Sequence, residues 1–223
     1  MVGLLIVFAV VLALTMWARK RYQKVYDSEL KHSARDGLTG AEMARRLLES
    51  KGIADVKVVC KTGVFADFYD PGKKQLSLAP QHYKGSTYAA LGIAAHEAGH
   101  AIQQVEGYHP LHWRVSAVRA TIFLSVPLII VGAGMLALGM GRTGVMILVA
   151  VWPLIAVANL VTIPIELDAS ERAKKRLREV GAFQNLDERV GVEKMMTAAA
   201  AKYVDGIFSV LSWLASLIPW KSS

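Results

Sequence analysis

Two apolar runs, residues 120–139 (ATIFLSVPLIIVGAGMLALG) and 144–165 (GVMILVAVWPLIAVANLVTIPI), are separated only by the link MGRT and hold no charged side chain. Each has the length that crosses a bilayer as a helix, roughly 17–25 residues. In hydrocarbon every backbone N–H and C=O must be satisfied within the segment, so an isolated run of this kind can only be helical. The short link makes the pair a helical hairpin with both ends on one side. Pro127, Pro153 and Pro164 are tolerable where neighbours satisfy the freed carbonyls. A third run, residues 2–18, is followed at once by RKRYQK. A secretory signal carries its charge before the apolar run and a small-x-small site after it. The run therefore reads as an uncleaved anchor, with residue 19 onward in the cytoplasm by the positive-inside rule. The segment after the hairpin, ELDASERAKKRLREVG, carries five Lys/Arg and gives the same orientation.

Around these runs the chain divides into a membrane anchor (1–18), a cytoplasm-facing part (19–119), the hairpin (120–165), a cytoplasm-facing helical segment (166–202), and a last span or interfacial helix (203–223). In 38–52, Thr39 is an N-cap, Glu42 completes a capping box and Gly52 is a stop, which predicts a helix. The runs VKVVC, VFADFY and KQLSLA, split by KTG and DPGK turns, predict a small antiparallel sheet or hairpin. Within it, residues 75–78 (QLSL) are a candidate exposed edge for an extended peptide. The expected class is mainly α, a multi-pass membrane helical protein with a small β element. One cysteine, Cys60, excludes an intrachain disulfide and a thiolate metal site. The formal charge of +8 sits beside apolar runs and points to lipid headgroups; with no aromatic-basic platform, nucleic acid is not an expected partner.

Residues 89–104, AALGIAAHEAGHAIQQ, predict an apolar helix carrying His96, Glu97 and His100 near its centre. Burying such groups without partners costs several kcal/mol, on the order of 2–7. His-Glu-x-x-His on a helix puts two imidazoles one turn apart on one face. There each can give one nitrogen to a zinc ion, while Glu97, to the side, acts as general base on the bound water. A catalytic zinc needs a third protein ligand. Glu106 is one alternative, at the place of the last histidine in an extended H-E-x-x-H-x-x-G-x-x-H motif, with Gln103 at the glycine place. The next acidic residue is Glu166, which the hairpin can return toward His96 and His100. Asp168 is its substitute, or an acceptor for a spare histidine N–H, and Ser170 a weaker acceptor of the same kind. Tyr69, Tyr83 and Tyr108 are candidate oxyanion donors; His32, His82, His109 and His112 show no ligand spacing and read as loop or interface residues.

The ordered set GLTGAEMARRLLESKGIADVKV (37–58), YDPGKKQLSLA (69–79), AAHEAGHAIQQVEGYHPLHWR (94–114) and PIELDASERAKKRL (164–177) resembles the YugP-type neutral zinc metallopeptidases of bacterial membranes. It is more distantly similar to prenyl-protein and heat-shock membrane zinc endopeptidases. The resemblance implies a membrane-embedded zinc peptidase core with His96 and His100 as metal ligands and Glu97 as base. The distant relatives take their third ligand from a Glu after the spans, which here is Glu166. Ser170 departs from their pattern, which has an Asp there, and Phe68 stands where a polar residue is expected. The expected activity is zinc-dependent endopeptidase, on a polypeptide that includes membrane proteins, from an integral position in the bacterial cytoplasmic membrane with the site facing the cytoplasm. The rival readings are a zinc hydrolase of a non-peptide amide and a non-enzymatic membrane scaffold or adaptor.

Overall fold

The helix predicted from Thr39 forms for the stated reason. In the computed structural model, which describes residues 16, 17, 19–63, 66–183 and 185–200, the Thr39 hydroxyl accepts from the Glu42 N–H. Glu42 Oε2 in turn accepts from the Thr39 N–H at 2.8 Å. Two otherwise orphaned donors of the first turn are thereby satisfied. Helix α1 covers 19–29, and this capped helix, α2, runs Gly40–Ser50. Gly52, at φ +69°, takes the left-handed conformation that ends it.

Three strands follow, β1 (Lys57–Cys60), β2 (Phe68–Asp70) and β3 (Gln75–Leu78), in the order β1-β3-β2. The expected antiparallel sheet is correct only for β2 and β3; β1 pairs with β3 in parallel. The DPGK turn forms as expected. Asp70 Oδ1 accepts from the backbone N–H of Gly72 and Lys73, at 3.0 and 3.1 Å, an Asx-type turn. Such a turn reverses the chain from β2 into β3. The connection from β1 to β2 is longer, and β3 inserts between them. Both edges of β3 are therefore occupied, and 75–78 is not a free edge.

A short helix α3 (Pro80–Tyr83) precedes α4 (Tyr88–Val105), whose first turn is capped by the Thr87 hydroxyl. Every residue of α4 from Tyr88 to Gln103 is buried. A helix buried all round is the core of its unit, and small residues set how closely its neighbours approach. A Cβ placed on Gly99 would lie 2.2 Å from the carbonyl oxygen of Ala169, and one on Gly92 2.6 Å from the Cβ of Met195. Both contacts lie within one compact unit, Met1–Gly107 with Glu166–Ser223; the second unit is Tyr108–Ile165.

In the second unit, helix α5 (Pro110–Ala137) turns through Leu138–Met140 into helix α6 (Gly141–Glu179), which continues into the first unit. The two helices meet at small residues. A Cβ on Gly144 would lie 2.7 Å from the Gly132 carbonyl oxygen, and one on Gly132 2.8 Å from Leu148 Cγ, the close backbone approach that membrane helix pairs favour. Ala120–Ala137 is long and apolar enough to cross a membrane; Gly141–Val151 is a shorter apolar stretch. The helices overrun the apolar runs, since α6 does not pause at 165. Glu166 is thus an interior residue of a 39-residue helix and not the first turn of a new one. A last described helix, α7, covers 186–200. The apolar run 2–18, apart from residues 16 and 17, and the terminal segment 203–223 lie outside the described residues.

Candidate metal centre

The groups that could hold a metal come from α4 and α6. On α4, His96 and His100 stand one turn apart, their rings 5.1 Å between centroids and edge to face. The backbone of Ala169 rests against Gly99 between them, so α6 presents Glu166 to both rings. Glu166 Oε2 is 3.0 Å from His96 Nε2 and 3.3 Å from His100 Nε2. One atom from each of the three residues lies within 4.8 Å of the others, the geometry that can hold a metal ion. All three side chains are buried.

The outer partners of the histidines decide which nitrogen faces inward. Ser170 Oγ donates to the backbone carbonyl of Met196 at 3.0 Å. Its hydroxyl proton is thereby used, so it accepts from His96 Nδ1–H at 2.8 Å. On the other ring, His100 Nδ1 faces Gln103 Oε1 at 2.9 Å, and Gln103 Nε2 donates to Asp168 Oδ2 at 2.7 Å. A carboxylate only accepts, so the amide orientation follows and His100 Nδ1 also carries its proton. Both Nε2 atoms then present lone pairs to one carboxylate oxygen. Three acceptors at such separations repel unless a cation lies among them. The donor set, two imidazoles and a carboxylate, suits zinc. Glu97, next to His96, keeps a buried Oε2 with no hydrogen-bond partner among the described residues. An orphan carboxylate oxygen on the ligand helix fits a group reserved for something the site receives.

Several residues singled out from sequence are placed elsewhere. Glu106 caps α4 and pairs with Lys51 at 2.7 Å and with Arg172. These two cations hold its carboxyl below the usual glutamate range, Lys51 first. Glu106 is absent from the metal cluster. Asp168 is neither a ligand nor a direct histidine partner, since it acts on His100 only through Gln103. Ser170, given the weaker role from sequence, is the direct partner of His96. Tyr69 donates to Gln104, and Tyr83 accepts from Arg45, so neither hydroxyl is directed at the three ligand atoms. Burial pushes the Tyr69 phenol up to about 12. His82 is not an ordinary loop residue. It is buried, with Nδ1 2.9 Å from Asp67 and Nε2 2.9 Å from the Tyr26 hydroxyl. Gln103 was missed as a partner. The available signal was an amide in an apolar helix, three residues after a histidine.

A family model described as "Putative neutral zinc metallopeptidase" matches residues 4–221. The chain belongs to this family. Its cofactor is zinc, and the His-His-Glu cluster is a site that can hold it. A protein of Bacillus subtilis (strain 168) named "Putative membrane protease YugP" is 35% identical over 195 residues, 86% of this chain and 85% of that one. No solved structure matches the chain.

Proposed function

We propose that this family member is a membrane-integrated zinc endopeptidase in which His96, His100 and Glu166 hold the metal and Glu97 is the general base. The observation that carries the reading is the meeting of two Nε2 atoms and one carboxylate oxygen beside Glu97 Oε2, which has no hydrogen-bond partner among the described residues. Zinc, when bound, supplies Lewis acidity, lowering the pKa of a water far below its bulk value, to about 7. Glu97 takes the proton from the attacking water and delivers it to the leaving amine. The runs 120–139 and 144–165 form a transmembrane hairpin, a reading supported by the apolar Ala120–Ala137 helix and by the name of the Bacillus relative. The charge pattern RKRYQK and ERAKKRLR favours a site on the cytoplasmic side of a bacterial membrane. The substrate is a polypeptide, including segments of membrane proteins near the headgroups.

The test is metal analysis and peptidase assay of the purified wild type beside His96→Ala, His100→Ala and Glu166→Ala. The wild type is expected to carry one zinc and cleave peptides; each variant is expected to lose both. Full zinc and activity in the Glu166 variant would remove it as third ligand. An amide that is not a peptide, cleaved faster than any peptide in a panel, would favour the non-peptide hydrolase.

A further inference from the structure

Gln103, Asp168 and Arg172 are not ligands in the reading above, yet they form a chain ending on one. We propose that the Gln103–Asp168–Arg172 chain is a positioning device that sets the tautomer of His100 and so keeps its Nε2 bare for the metal. This rests on the reading that His100 is a zinc ligand.

Donors and acceptors alternate along the chain. Arg172 has only donors, and it grips Asp168 twice, Nε to Oδ2 at 2.5 Å and Nη2 to Oδ1 at 3.2 Å. Both Asp168 oxygens thus act as acceptors. Gln103 must therefore turn its NH2 toward Asp168, at 2.7 Å. Its carbonyl oxygen then faces His100 Nδ1 at 2.9 Å and requires a proton there. Followed in this direction, the links leave the lone pair on Nε2. Gln103 is fully buried, so bulk water does not offer its amide a substitute. The remote end is anchored as well. Arg172 also pairs with Glu106, which pairs with Lys51 just past the end of α2. The chain thus connects a ligand ring on α4 to α6 and to the end of α2.

A directional chain can be reversed at one link and restored at the next. Asp168→Asn is isosteric, and its NH2 faces Gln103 once Arg172 Nε is released from the oxygen they share, so that the amide donates toward Gln103. The Gln103 amide then turns and offers its NH2 to His100, moving the ring proton to Nε2. Gln103→Glu alone sets two carboxylates against each other. Combined, the introduced carboxylate at 103 accepts from His100 Nδ1–H and from the introduced amide at 168, and the original direction returns.

The experiment is zinc affinity by chelator competition on the full-length protein in detergent, for the wild type, both single variants and the double variant. Loss of an outer partner typically weakens metal binding about ten- to a hundredfold, and each single variant is expected to fall in that range. The double variant is expected to return close to wild type. A purely packing role predicts instead that the two losses accumulate. Zinc affinity unchanged in Asp168→Asn, or a double variant weaker than either single one, overturns the proposal. Should the double variant fail to fold, the ¹⁵N shift of the His100 ring in metal-free Asp168→Asn decides: a proton on Nε2 supports the device and one on Nδ1 overturns it. A wild type that binds no zinc sinks the parent reading instead, which separates the two failures.

Discussion

His96 Nδ1 donates to Ser170 Oγ at 2.8 Å, and the Ser170 hydroxyl passes its own proton to the Met196 carbonyl at 3.0 Å. A hydroxyl can do both at once, whereas a carboxylate at this position has no proton for the carbonyl. Ser170→Ala keeps the fold and removes the acceptor, so zinc affinity is expected to fall about tenfold or more. Chelator competition measures it, and the Gln103→Glu, Asp168→Asn pair described above should not repair it, because it acts on the other ring.

Glu97 Oε2 makes no hydrogen bond among the described residues that a substitution would break. Glu97→Gln is expected to bind zinc like the wild type and to lose turnover about 10²–10⁴-fold, the usual loss when a positioned general base is removed. Zinc content and peptide cleavage on one preparation check both halves. Retained turnover would remove Glu97 from the mechanism, and an unaltered cellular phenotype with zinc bound would favour a scaffold.

Gly99 lies where α4 and α6 touch. A methyl group there would sit 2.2 Å from the Ala169 carbonyl oxygen, a backbone atom that cannot swing aside. Gly99→Ala should force the helices apart and carry Glu166 away from both histidines. The expected results are a destabilisation of about 1–3 kcal/mol and a loss of zinc stoichiometry, read by thermal melting and metal analysis. Gly92→Ala meets the Met195 side chain as well as the Val192 carbonyl, a contact of α4 with α7 and not with the helix that carries Glu166. It should lower stability without the same loss of zinc.

That His96, His100 and Glu166 could meet was legible because helix periodicity and the scarcity of acids between 106 and 166 leave few choices. The capping box at Thr39 was legible for the same local reason. The parallel pairing of β1 was not, since strand order depends on which partner the intervening chain lets in. The continuity of α6 through Pro164 was hidden because proline and charge onset both read as a boundary. Ser170 and Gln103 depended on tertiary placement. Each is a polar side chain at helical spacing from a ligand, three residues after His100 and four after Glu166, but only the approach of α7 and the Arg172–Asp168 pair shows what each bonds.

Glu106 bears on pH dependence. Lys51 and Arg172 lower its pKa from 4.5, so its contribution to stability is complete above that value and lost as pH falls through the lower folded-state pKa. Glu193, lowered by Arg178 in the same direction, adds to the same window. Glu106→Gln should therefore lower the melting temperature at neutral pH and flatten the acid limb of the stability curve. The effect is small because the carboxylate is one-third exposed and solvent screens the pairs. Melting curves from neutral pH to below 4.5 provide the measurement; an acid limb identical to wild type would assign that limb to other groups.

The apolar exposure of α5 makes a prediction about the bilayer. Phe123 is 79% exposed and Ile130 65% exposed, and both fall within Ala120–Ala137. Side chains of this size facing water around a helix would be an aggregation hazard; facing lipid they are at home. Placing an arginine near the centre of a spanning helix costs about 2.5–3.5 kcal/mol on insertion scales. Ile130→Arg should thus shift the protein from the carbonate-resistant membrane fraction toward the soluble or aggregated fraction. Ile130→Leu should leave it in place. The same distribution for the arginine and leucine variants would mean that Ile130 does not face the hydrocarbon core, and the transmembrane reading of α5 would fall with it.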